Sequence, residues 1–184
     1  MKCYHYLNLP FEFKPYKFPP IKVHVELEIK EHMIDQNFKN WLSSLGLAYD
    51  IPRMLIAVPN QQYTIHRDSS PEYGCVKINF IYNSQQAKMI WYKIKSGQSI
   101  KTYTNTLGET VEGGYTLNDL DILDQGILDS VSLVNAHDLH SVHNGNTFRQ
   151  CYSFALKHIN TDKRITWEEA EKIFLPYFTG SLSR

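Results

Sequence analysis

From Ile51 onward the chain is cut into short runs, and this spacing constrains the fold more than any other feature. "RMLIAVP", "QQYTIHRD", "CVKINFIY" and "KMIWYKIK" are rich in aromatic and β-branched residues, the side chains that suit a pleated, half-buried surface. Turn signals separate them: "PNQ", "SSPEYG", "NSQQ" and "KSGQ". Clusters of Gly, Pro, Asn and Ser bounding such runs mark strand ends. "KTYTNTLGETVEGGYT" reads as a polar hairpin or a Gly-rich loop. "LDILDQGILDSVSLVNAHDLHSVHNGNTFRQCYSFALKHI" returns to strands, with a turn at "HNGN", because Asn-Gly is the strongest short hairpin signal. About eight short strands at regular spacing predict a sandwich or barrel.

Helical segments flank this region. "KVHVELEI" alternates, which puts Val23, Val25, Leu27 and Ile29 on one face of a strand. In "EHMIDQNFKNWLSSLG", Ile34, Phe38, Trp41, Leu42 and Leu45 recur at helical spacing, and Gly46 supplies a stop. Near the other end, Thr166 and Glu169 form a capping box for a short helix in "TWEEAEKIFLPYF". The first twenty residues carry Pro10, Pro15, Pro19 and Pro20 and are expected to lie extended over the body. The organisation expected is one domain over 1–184, mainly β. An extension with a strand and a helix covers 1–50, an all-β core 51–158, and a C-terminal helix 159–184.

Charge and cysteine usage narrow the function. The chain has 19 basic and 19 acidic side chains, and a nucleic-acid binder usually shows a basic surplus, so nucleic acid is an unlikely partner. Cys3, Cys75 and Cys151 are odd in number and far apart, which is neither a disulfide framework nor a zinc-ribbon pattern. The N-terminal stretch lacks a signal-peptide core, and no apolar run approaches the roughly 18 residues of a membrane span. A soluble cytoplasmic protein is expected.

"YTIHRDSS" carries the chemistry. His-Arg-Asp opens the catalytic loop of protein kinases, but there an Asn five residues later holds magnesium. Here that position is Tyr73, and the chain lacks the other kinase motifs. The other reading is a metal site. On an extended strand, residues i and i+2 point the same way, so His66 and Asp68 can reach one ion. A site of two imidazoles and one carboxylate leaves open positions on iron(II). The third ligand has three candidates, His137, His140 and His143, all in "NAHDLHSVHNGNTFRQ". Arg67, between the first two ligands, should face away. His5, His24, His32 and His158 lack a matching context and read as structural or surface residues.

His66, Asp68, His140 and then Arg149 nine residues on resemble the pattern of the iron(II)/2-oxoglutarate-dependent dioxygenases, in particular prolyl- and aspartyl-hydroxylase-like members, and the small size resembles the compact peptidyl or free-amino-acid hydroxylases. "YTIHRD", "CVKINFIYN" and "LHSVHNGNTFRQCYSFAL" carry the similarity, which covers roughly residues 50 to 157. The resemblance implies a double-stranded β-helix, or jelly roll. It implies iron(II) on His66, Asp68 and His140, and 2-oxoglutarate and O2 as cosubstrates. Arg149 would grip the far carboxylate of 2-oxoglutarate, since a guanidinium offers two parallel hydrogen bonds. Succinate and CO2 would be released as a substrate carbon is hydroxylated. Asn79, inside the apolar strand "KINFIY", and Tyr63 are further candidates to contact the cosubstrate. Both have plain structural alternatives, a backbone-bonded amide and a core ring. Some family members have Ser two residues after the Arg, where this chain has Cys151.

Two other functions are alternatives. A cupin-type metal enzyme would not use 2-oxoglutarate, but cupins favour His-x-His, which is not found beside His66. A non-catalytic binding module on the same barrel is the third. Substrate choice would lie in residues 1–50 and the loop "KSGQSIKTYTNTLGETVEGGYTLND", polar and hardly basic, which favours a peptidyl side chain or a polar small molecule.

Overall fold

The computed structural model describes residues 2–16, 23–68, 75–84, 86–104 and 110–179. The expected turn "SSPEYG" lies outside them. The chain is mainly β. Eleven strands are named among these residues: β1 (Tyr4–Tyr6), β2 (Val25–Glu28), β3 (Leu47–Ala57), β4 (Val76–Tyr82), β5 (Lys88–Ile94), β6 (Thr102–Thr104), β7 (Thr110–Glu112), β8 (Leu120–Ile127), β9 (Ser132–Asn135), β10 (Leu139–His143) and β11 (Arg149–His158). Two α-helices join them, α1 (Gln36–Ser44) and α2 (Trp167–Phe174).

The strands form a six-stranded sheet, β1-β9-β4-β11-β3-β2, a three-stranded sheet, β10-β5-β8, and the β6–β7 hairpin. Every pairing between named strands is antiparallel. The sheets do not close into a barrel.

The central strands of the large sheet are buried on both faces, and their alternation decides where the site lies. On β4, Val76, Ile78 and Phe80 join Tyr152, Phe154 and Leu156 of β11 in the main core, with Phe38, Trp41 and Leu42 of α1 and Phe174 of α2. The alternate residues, Lys77 and Asn79 on β4 and Arg149, Cys151 and Ser153 on β11, face the other way, into a cavity shared with the small sheet. Farther along that inter-sheet space, Cys3, Ile81, Met89, Trp91 and Leu128 pack as a second, apolar cluster. Trp91 is fully buried there, and Tyr92 lies in a third cluster with Leu139.

Both helices begin with side-chain caps. Asp35 accepts from the Asn37 N–H at 2.7 Å, and Gly46 follows α1 at φ +73°, a left-handed stop that glycine adopts without strain. Thr166 and Glu169 complete the reciprocal cap of α2.

Three expectations need correction. Val23 is exposed, because β2 begins only at Val25. The run "QQYTIHRD" forms no strand; it makes isolated bridges, Gln62 to His143 and His66 to both His140 and Gly113. "HNGN" turns the chain but makes no hairpin. β10 pairs with β5 and β11 with β3 and β4, so this turn carries the chain from one sheet to the other. The polar stretch from Lys101 does form a hairpin, β6 with β7.

Candidate metal centre

His66 and His140 are brought face to face by backbone exchange. The His66 N–H donates to the His140 carbonyl at 3.0 Å, and the His140 N–H returns to the His66 carbonyl at 2.8 Å. The Asp68 N–H continues the strap to the Ala136 carbonyl at 3.2 Å. His140 and Val142 point inward from β10, while Ser141 and His143 point to the opposite face. There Ser141 meets the Tyr92 hydroxyl at 2.9 Å and His143 at 3.1 Å. The alternation of a strand therefore separates His140 from His143. His137, whose N–H bonds the Asn135 side chain, is not in the ligand group.

Ligand atoms of His66, Asp68 and His140 all lie within 4.8 Å of one another. His66 Nε2 is 3.2 Å from Asp68 Oδ1, and His140 Nε2 is 3.6 Å from Asp68 Oδ2. Adjacent ligands on an octahedral ion with bonds near 2.1 Å stand about 3 Å apart, so the set fits a divalent ion after small side-chain adjustment. Each imidazole is anchored at its other nitrogen. His66 Nδ1 is 2.7 Å from the Thr64 carbonyl, and His140 Nδ1 is 2.9 Å from the Asp138 carbonyl. A carbonyl can only accept, so Nδ1 carries the proton in both rings and Nε2 presents a lone pair. Such an anchored ring is the usual arrangement of a metal-binding histidine.

The charges around His140 and Asp68 suit the same role, whereas an ion at His66 has to displace a proton that Asp68 favours. Burial pushes His140 down to about 4, despite the nearby carboxylate, which keeps the imidazole neutral. Burial also opposes ionisation of Asp68, but Lys77 and the two imidazoles hold its carboxyl well below the usual carboxylate range. His66 is pulled down by burial and raised more by Asp68, so it titrates above an ordinary histidine.

The inner cavity beside this set has a volume of about 150 Å³. Arg149 lines it, 4% exposed, and its Nε has no hydrogen-bond partner. Asn79, 7% exposed, lines it too, and its Oδ1 is likewise unpartnered. Buried polar atoms are nearly always paired, so two orphans in one cavity point to a polar occupant. Tyr63 lines the cavity, with its hydroxyl 3.4 Å from His24 Nδ1. Cys151 and Ser153 share the Arg149 face. Arg67 turns away, to Glu112 at 3.1 Å.

Lys77 is the residue that motif reasoning missed. Its Nζ donates to Asp68 Oδ2 at 2.8 Å, inside the same cavity. The signal was present in "VKINF": polar residues two apart in a strand whose other positions are apolar share a face, and that face must hold polar partners.

The chain matches no family model and no curated protein. The fold and site define a mainly β protein with a His-Asp-His group able to hold a metal ion. Among the described residues, no helix is long and apolar enough to cross a membrane.

Proposed function

We propose that this chain is an iron(II)/2-oxoglutarate-dependent oxygenase that hydroxylates a peptidyl side chain or a polar small molecule. The two sheets would then be the faces of a double-stranded β-helix. One observation carries the reading: three ligand side chains converge beside a cavity that also holds a buried arginine with an unpartnered Nε.

The residue roles follow from chemistry. His66, Asp68 and His140 hold the metal, with both imidazoles fixed as Nδ1–H tautomers. Iron(II), when bound, supplies the redox chemistry that couples decarboxylation of 2-oxoglutarate by O2 to hydroxylation, yielding succinate, CO2 and hydroxylated substrate. Arg149 donates to the far carboxylate, a charge-assisted pair formed at a buried guanidinium. Asn79 sits on the same wall and presents an amide for orientation. Tyr63 borders the cavity where the substrate arrives.

The test is an anaerobic titration of metal-free protein with iron(II), then 2-oxoglutarate, followed in the visible range. A weak charge-transfer band from the chelated keto acid is expected, and it disappears in Asp68→Ala and His140→Ala. Arg149→Gln should keep iron binding while the band requires far more 2-oxoglutarate. Iron binding without a band would favour a cupin-type enzyme, and absence of iron binding would leave a binding module.

A further inference from the structure

An outer chamber of about 460 Å³ adjoins the inner cavity, within the range of small-molecule sites. Glu26, Arg53, Tyr63, His66, Asp68 and Lys77 line both spaces and form their junction. Asp68 and Lys77 satisfy each other there. Of the remaining charged walls, three are guanidinium groups: Arg53, Arg67 and Arg164. The acids paired with two of them do not line the chamber: Glu112 holds Arg67 at 3.1 Å, and Asp50 holds Arg164 at 3.2 Å. Glu26 does line it, 3.6 Å from Arg53 Nε, beyond a good hydrogen bond. Among the described residues these remaining walls thus carry three guanidinium groups and one carboxylate, and the one of their pairs with both partners on the wall, Arg53 with Glu26, is the loosest of the three and stands at the junction.

We propose that this chamber takes a free, small zwitterionic carboxylate of the α-amino-acid class. Its carboxylate pairs with Arg53 and its ammonium with Glu26, each replacing half of the loose ion pair. Anchored there, its carbon skeleton lies beside His66 and Asp68. That this ligand is the molecule hydroxylated rests on the oxygenase reading; its binding does not.

Calorimetric titration of the full chain tests this, both metal-free and loaded with iron(II) and 2-oxoglutarate under argon. The probes are free L-amino acids, their N-acetyl and C-amide forms, and short peptides. At least one free amino acid should bind, with both blocked forms at least tenfold weaker. Arg53→Gln and Glu26→Gln, shown folded by circular dichroism, should each weaken it at least tenfold. The inference is overturned if blocked forms or peptides bind equally well, if no free amino acid binds in either state, or if the two variants bind like the parent. Amino-acid binding in a protein that takes neither iron nor 2-oxoglutarate would retain the inference and remove the oxygenase reading.

Discussion

Lys77 stands where a cation competes with a metal ion. Its ammonium meets Asp68 Oδ2, the same oxygen that faces His140 Nε2. In the metal-free protein this contact compensates the Asp68 charge; once an ion binds, it becomes a like-charge neighbour. Lys77→Gln should therefore tighten binding of cobalt(II) or manganese(II) several-fold, read by competition with a chelating dye. The same change should destabilise the metal-free protein by about 1–3 kcal/mol in denaturant melts, less than the loss for a fully buried pair, since Lys77 and Asp68 keep 20% and 23% of their exposure. Weaker metal binding in the variant would mean that Lys77 serves to orient Asp68. A second residue-scale effect lies at Asp119. It accepts from Lys101 and from Thr116, and these bonds lower its carboxyl from 3.8 to about 2. A depressed carboxyl stabilises the fold above its unfolded value and loses that contribution as pH falls through the folded one. Between about pH 4 and pH 2 the parent should lose stability faster than Asp119→Asn, whose acid limb in pH-dependent melts should be flatter.

At the scale of elements, the turn between β10 and β11 sets the distance from His140 to Arg149. Asn144 holds it: Nδ2 donates to the carbonyls of Val58 at 2.7 Å, Thr147 at 2.8 Å and Ala57 at 3.3 Å. Asn144→Ala removes these bonds from a buried position and should cost about 1–3 kcal/mol. If the turn positions the site, 2-oxoglutarate affinity should fall with it; a stability loss with unchanged affinity would confine Asn144 to folding. The same turn shows what could be read from sequence. The helices were legible, since amphipathic spacing in Phe38, Trp41 and Leu42, the stop at Gly46 and the capping box of Thr166 and Glu169 are local. β4 and β5 were legible as single strands for the same reason. Pairing partners were not, because Asn-Gly reports a turn and says nothing of which sheet receives the chain. The segment around Tyr63 reads as a strand by composition, yet its partners lie at Gly113, His140 and His143, far along the sequence. In the candidate site, spacing suggested His66 and Asp68, the family resemblance added His140, and the structure brings the three together. Spacing alone left His143 open, which the facing of β10 excludes, and Lys77 needed the facing of β4.

For the whole molecule, the consequence lies in how its parts are joined. The sheets do not close into a barrel, and the segment from Tyr63 to Asp68 lies along β10 as a strap. The Tyr63 N–H donates to the Val142 carbonyl at 2.9 Å and His66 exchanges with His140, while the Arg67 N–H donates to the Glu112 carbonyl of β7 at 2.9 Å. An ion on His66, Asp68 and His140 would tie that strap to β10 through side chains as well as backbone. A ligand that binds only the folded state stabilises it by about 2.7 kcal/mol at a hundred times its dissociation constant. For a chain of this size that is a rise of about 5–11 °C in the thermal midpoint. Added protection from hydrogen exchange should concentrate at residues 61–68 and 139–143, and Asp68→Ala should lose both effects. Amides that exchange only by global unfolding gain protection wherever the ion binds, so the site is read from those that open locally: if residues 61–68 and 139–143 gain no more than the locally opening amides elsewhere, the ion binds elsewhere, because a cross-link raises the local opening energy most where it joins two segments.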